Sequence, residues 1–124
     1  RRYRVQLNMM RVHNEDSHNM RSFEVPGVGG IMVAPDTSEH RLFFNNEKEV
    51  FLYKSAEDCA EMMRKILALP VAAAGEIRNN ARSVSIQKGY HYKNRAQQAL
   101  VVIKNIKQVL LVQVLLSNQV MYPY

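Results

Sequence analysis

A small open parallel α/β sheet followed by helices is the fold class this sequence predicts, and three observations predict it. Short apolar runs alternate with helical or polar segments over residues 3–53, an order that crossover connections turn into a parallel sheet. Ile31–Ala34 is apolar at every position, as a strand covered on both faces must be. Beyond Ser55 the apolar spacing becomes that of helices.

Tyr3–Met9 alternates and is rich in strand formers: Tyr3, Val5, Leu7 and Met9 share one side, Arg4, Gln6 and Asn8 the other. It is the first predicted strand. Arg11–Asn19 is polar and reads as a loop, in which Ser17 or Asn19 can cap a short helix over Met20–Val25. Pro26-Gly27 and Gly29-Gly30 are expected to stop that helix. Ile31–Ala34 is the second strand. A one-turn helix is predicted from Asp36–Glu39 through Phe44, a turn over Asn45–Glu49, and a third strand over Val50–Tyr53.

Ser55 reads as the N-cap of a helix whose apolar stripe is Cys59, Met62, Met63, Ile66 and Leu67. Pro70 ends that helix or opens the next. Val71–Gly89 is helical in outline, with Ala74, Ile77, Ala81 and Val84 on one face and Gly89 as its stop. Tyr90–Lys93 is a junction at which Tyr92 is expected to pack. Arg95–Leu116 is a long helix, although its valine-rich end, Val109–Leu116, also suits a strand.

With 124 residues the chain is large enough for one domain with a modest core. We divide it into a sheet and nucleotide-site segment, 1–54, and a helical segment, 55–124. Apolar residues at 47% rule out a disordered chain. The lone cysteine, Cys59, allows no internal disulfide and belongs to a core stripe. His13, His18, His40 and His91 show no helical metal-site spacing, so no metal is expected; His40 and His91 read as solvent or packing residues. The formal charge of +6 favours anionic partners. It is scattered, so no nucleic acid is expected. Lys104, Asn105, Lys107, Gln108 and Gln113 interrupt the apolar stretch Ala99–Leu116, which excludes a spanning helix and leaves a packing face, a homo-oligomer contact or a membrane-surface helix. The chain opens Arg1-Arg2-Tyr3 with no methionine or signal peptide, and we expect a piece of a longer protein.

The informative stretch runs from His18 to Val33. A polar loop feeds a short helix, glycines follow, and a buried strand begins. In open parallel sheets ligands sit at the carboxyl ends of strands, which is where the loop after the first strand lies. A helix start there suits a phosphate, and Arg21 can add a charged contact. Glu24, one turn on, can share that face and accept hydrogen bonds from ribose hydroxyls. The structural alternatives are a solvated Glu24, an Arg21–Glu24 salt bridge, and a loop role for His13 and His18.

Met20-Arg21-Ser22-Phe23-Glu24-Val25-Pro26-Gly27-Val28-Gly29-Gly30 resembles the R-x-F-E-x-P-(A/G)-x-G-(G/A) segment of the GT-B glycosyltransferases, and more narrowly the group-one branch that includes the spore-maturation glycosyltransferases. The likeness continues in register. Asp36 to Phe44 with Asn45-Asn46-Glu47-Lys48-Glu49-Val50-Phe51-Leu52-Tyr53 resembles the D…L…F…G-K-E-(I/V)-x-x-Y segment. Ser55-Ala56-Glu57-Asp58-Cys59 resembles the S-x-E-(D/E)-L helix start. Ile77-Arg78-Asn79-Asn80-Ala81 followed by His91-Tyr92-Lys93-Asn94-Arg95-Ala96 is similar to the closing I-A-x-x-(A/G)…T-Y-x-x-R-A pattern. The likeness spans roughly Leu7 to Leu100.

The resemblance implies a partial Rossmann-like domain, the C-terminal half of a GT-B enzyme, with a small parallel sheet and C-terminal helices. It implies that this half binds a nucleotide-sugar donor and that a separate N-terminal half binds the acceptor. Glu24 would then hold the donor ribose. Arg21, His18 and Asn19 would line the phosphate or sugar side. Gly29 and Gly30 would turn the chain into the next strand beside the donor. Asp16, with Glu15 beside it, stands at the acidic position eight residues before Glu24, where the related branch carries a glutamate, and is the catalytic candidate the resemblance implies. The donor is a substrate, so no cofactor is implied, and a cytoplasmic or membrane-peripheral location is expected. Two departures stand out: the apolar Val109–Tyr124 extends past the family's terminal helix, and the family has further strands before Tyr3. The other function class open to this sequence is a non-catalytic Rossmann-like binding or assembly module for a protein or polyanion. A nucleotide-dependent epimerase or phosphorylase is a third.

Overall fold

The computed structural model describes residues 3–11, 13 and 16–120, with backbone only over 114–120. Its elements are β1 (Gln6–Leu7), α1 (Arg21–Gly27), β2 (Met32–Pro35), α2 (Ser38–Phe43), β3 (Phe51–Tyr53), α3 (Ala56–Ala68), α4 (Val71–Gln87) and α5 (Tyr92–Val120). The strands form one parallel sheet in the order β1-β2-β3. Gln6 stands opposite Met32, and Val33 opposite Phe51. The predicted α/β class with a small parallel sheet is therefore the observed one. Two compact units divide the chain, Arg1–His91 and Tyr92–Tyr124. Among the described residues no helix is long and apolar enough to cross a membrane.

The central strand explains the sheet. Met32 and Ala34 face a cluster with Val25, Phe44, Val50 and Leu52. Ile31 and Val33 face the other cluster, with Phe51, Ile66 and Ala74. Successive residues thus enter opposite cores, which is why no polar residue interrupts the run. Helix α3 lies under β2 and β3 and presents Cys59, Met62, Met63 and Ile66 to the second cluster. Ser55 caps it, its hydroxyl accepting the Asp58 N–H at 3.2 Å. Helix α4 contributes Ala74 and Ile77 to one cluster and Val84 to the other, so it passes from one face of the sheet to the other. Gly89, at φ 65°, ends it as predicted.

Several expectations are corrected. The first strand is Gln6–Leu7, not Tyr3–Met9. Its apolar side is the open one: Tyr3 and Met9 are exposed, while Asn8 is fully buried. Val5 still packs against the second cluster, whereas the enclosed position beyond it, Asn8, has polar partners. Pro26 lies inside α1, which continues to Gly27; in so short a helix its missing N–H removes a single bond. Leu67 is exposed and lies outside the stripe of Cys59, Met62, Met63 and Ile66 that meets the second cluster. Tyr92 is 71% exposed, and the packed tyrosine at the junction is Tyr90, whose ring meets Phe23, Phe43 and Phe44. The alternative of a strand at Val109–Leu116 fails, since α5 runs unbroken through it; Met121–Tyr124 lie outside the described residues.

Candidate functional site at the carboxyl edge of the sheet

The loop after β1 crosses the carboxyl ends of β1 and β2, and side-chain bonds hold it there. Asn19 is the central clamp. Its Nδ2 donates to Asn8 Oδ1 at 2.8 Å and to the Met9 carbonyl at 3.4 Å. Its Oδ1 accepts the Ser22 N–H at 3.2 Å, and Ser22 Oγ accepts the Asn19 N–H at 3.2 Å. This reciprocal pair sits at the entry to α1, whose N-cap position is Met20, and Asn19 rather than Ser17 is the residue whose side chain bonds the first turn. Ser17 instead donates to the Glu39 carboxylate at 3.1 Å.

The rest of the loop is tied to α2. Asp16 accepts the Ser38 N–H at 2.6 Å and the Ser38 hydroxyl at 2.7 Å. Those bonds hold its carboxyl below the ordinary aspartate value. Thr37 donates to the Ser17 carbonyl and caps α2 by accepting the His40 N–H, both at 3.1 Å. His18 is in contact with the Glu39 carboxylate through Nδ1. Its ring meets the rings of Phe23 and Phe43 edge-on, with centroids 5.0 and 5.2 Å apart. The bond from His18 depresses the Glu39 carboxyl. Glu15 lies outside the described residues, and His13 is exposed.

Beneath this loop lies a buried polar chain. Asn8 Nδ2 donates to Ser22 Oγ at 3.1 Å. Ser22 Oγ stands 2.8 Å from His40 Nε2, and His40 Nδ1 stands 2.8 Å from the Pro35 carbonyl. Because the carbonyl only accepts, Nδ1 carries the proton and Nε2 accepts from the serine. Asn8, Ser22 and His40 are all fully buried. Burial pushes the His40 imidazole below its ordinary value, which keeps it neutral. Sequence reasoning missed this chain: His40 read as a solvent or packing residue and Asn8 as the open side of a strand. The available signal was limited to Thr37 three residues before His40, the spacing of a helix cap.

Arg21 and Glu24 stand three residues apart on α1, and both are exposed. The other side of the helix buries Ser22, Val25 and Pro26. Neither charged group bonds a described side chain, so the Arg21–Glu24 salt bridge is not formed. The structure therefore gathers Asp16, His18, Asn19, Arg21 and Glu24 in the loop and first turn of one helix.

Gly29 and Gly30 are placed elsewhere, at the amino end of β2. Gly29 has φ +75°, and the position where Gly30 lacks a Cβ is 2.8 Å from Val25 Cγ1 and 2.9 Å from the Val25 carbonyl. Both glycines serve the turn into the strand, as expected. They stand at the opposite end of the sheet from His18 and Asn19, while Val25, the residue after Glu24, accepts the Gly30 N–H at 2.8 Å. A cavity of about 280 Å³ adjoins Gly29, lined also by Gly75, Arg78, Asn79 and Arg82. Among the described residues no three His, Cys, Asp or Glu side chains converge as a metal cage.

The model of the glycosyl transferase-like family matches residues 1–101. No curated protein and no solved structure matches the chain. The match spans β1 through α4 and the start of α5 and takes in every residue of the loop and α1 described above. The chain belongs to the glycosyl transferase-like family, which supports a glycosyltransferase-type function.

Proposed function

We propose that this member of the glycosyl transferase-like family is the donor-binding part of a nucleotide-sugar-dependent glycosyltransferase of GT-B architecture, close to the spore-maturation branch. The carrying observation is the disposition of Arg21 and Glu24. They stand exposed and unpaired with any described residue, on a helix whose start Asn19 ties to the carboxyl end of β1. An isolated exposed charge is ordinary; a carboxylate and a guanidinium one turn apart at the ligand edge of a parallel sheet fit a ribose and a diphosphate.

In this reading the Glu24 carboxylate accepts hydrogen bonds from the two ribose hydroxyls. The Arg21 guanidinium faces the diphosphate. As an acceptor hydroxyl oxygen bonds to the anomeric carbon, the bond from that carbon to the diphosphate oxygen breaks, the hydroxyl proton passes to the departing diphosphate or to solvent, and Arg21 stabilises the charge that develops on the leaving group. Holding donor and acceptor together supplies the orientation term; the acceptor side belongs to the N-terminal half of such enzymes. His18 borders the sugar side, braced by Phe23, Phe43 and Glu39. Asn19 works as the clamp of the loop. Asp16 spends both oxygens on Ser38, and we give it the positioning of α2 rather than a proton-transfer role.

The test is titration of the chain with UDP- and GDP-sugars, followed by backbone amide shifts. Shifts centred on residues 18–24 that Glu24→Ala abolishes support the reading. Response to polyanions alone, spread over the lysines and steep in salt, replaces it with the binding-module reading.

A further inference from the structure

A second concave site lies at the end of the sheet away from the donor loop, and the only charged groups in its lining are two guanidinium groups. The cavity of about 280 Å³ is bounded by Gly29, at the turn into β2, and by Gly75, Arg78, Asn79 and Arg82 of α4. All five belong to the first compact unit. At 3.6 residues per turn the four α4 positions fall within an arc of about 100°. Glu76, the one carboxylate of that helix, falls outside it.

Three features of this end of the sheet point to an anion. Among the described residues no carboxylate pairs with Arg78 or Arg82, nor with Arg4, whose carbonyl Arg78 bonds. Helix α5 contains no aspartate or glutamate that could do so.

The Arg78 guanidinium, moreover, is held in place and still lacks acceptors. Its Nη2 donates to the Tyr3 and Arg4 carbonyls at 3.3 and 3.5 Å, yet its Nε is enclosed with no partner. The same is true of Nε in Arg4, whose Nη2 donates to the Leu69 carbonyl. Two enclosed guanidinium N–H groups without acceptors leave this region short of acceptor oxygens and of negative charge.

Gly75 supplies the third feature. It stands in the interior of a helix, where glycine is disfavoured, and a Cβ there would meet nothing within 4 Å. Packing does not demand the glycine; its missing side chain keeps the cavity open. Nor does the carbonyl end of α1 need the arginines. Its Glu24, Val25 and Pro26 carbonyls already accept the N–H groups of Val28, Gly30 and Gly29.

We propose that this cavity binds a compact phosphate-type oxyanion, with Arg78 and Arg82 as charged donors and the Asn79 amide as a neutral one. Its volume lies just under the range of about 300–1,000 Å³ that encloses drug-sized ligands, which suits phosphate or diphosphate rather than a whole nucleotide sugar. The site stands whether or not the donor reading does.

The test is titration of the full chain with inorganic phosphate and with diphosphate, followed by backbone amide shifts. Saturable shifts are expected at the five lining residues, with diphosphate at least tenfold tighter because it can engage both guanidinium groups. Arg82→Gln, at an exposed position, should weaken binding at least tenfold, as the loss of one charge-assisted contact does. Gly75→Leu keeps every charge but fills the cavity. It should abolish those shifts, with helix content checked by circular dichroism. Shifts confined to residues 18–24 would place the diphosphate in the donor loop and overturn the proposal. So would the absence of saturable shifts, or binding that ignores both variants, which is diffuse attraction to a basic chain.

Discussion

Ser22 donates its hydroxyl to Nε2 of His40 across 2.8 Å, with both residues fully buried. That bond joins α1, which carries Arg21 and Glu24, to α2, which begins at the end of β2. The exposed pair therefore rests on an enclosed polar chain whose members satisfy one another.

Replacing Ser22 with alanine leaves His40 Nε2 and Asn8 Nδ2 short of a partner in a site closed to water. The expected cost is about 1–3 kcal/mol of folding stability, read from urea unfolding. A change below about 0.5 kcal/mol, the range of ordinary surface substitutions, would show that the chain is not held this way.

The burial of His40 sets a pH dependence. Burial lowers the folded-state pKa of His40 below its ordinary value of 6.5, so the unfolded chain binds its proton first as pH falls. Stability from neutral His40 is complete above about 6.5 and declines as pH drops toward the lowered folded value. Charge from His18 adds to this, whereas Glu39 and Asp36 oppose it. Those two carboxyls are themselves lowered from 4.5 and 3.8, so their own titration lies at more acid pH. Urea midpoints between pH 7.5 and 5, compared with those of His40→Gln, should show a slope that the variant loses.

Two glycines in one turn should behave differently. A Cβ at Gly30 would strike the Val25 backbone, whereas one at Gly27 meets nothing within 4 Å. Gly30→Ala should cost about 1–3 kcal/mol; Gly27→Ala should stay within about 0.5 kcal/mol of the parent. Equal thermal shifts for the two would contradict the close approach of α1 to β2.

Glu24→Ala separates function from fold. The side chain is exposed and bonds no described partner, so stability should change by no more than about 0.5 kcal/mol, while donor-induced amide shifts disappear. A marked loss of stability would give Glu24 a structural role instead.

How much was legible depended on the range of the interaction. Ile31–Ala34 could be read as a covered strand because burial on both faces leaves a local composition. Ser55 could be read as a cap because its partner lies three residues away, while the choice between Ser17 and Asn19 at α1 stayed open. The face of β1 could not. Tyr3, Leu7 and Met9 had the apolar pattern of a core side, yet Asn8 is the residue enclosed, because its partners come from residues 19 and 22. Leu67 and Tyr92 failed likewise, each apolar enough to bury but left exposed.

By itself the sequence determined the α/β class, the order of elements, the Ser55 cap and the Arg21–Glu24 spacing, since each follows from contacts within a turn or from a strand's two-residue period. Tertiary structure alone decided that His40 lies neutral and enclosed against Ser22, and that Gly29 and Gly30 stand at the far end of the sheet from His18. Those outcomes depend on how segments distant in the chain cover one another and shut out water, which no local pattern encodes.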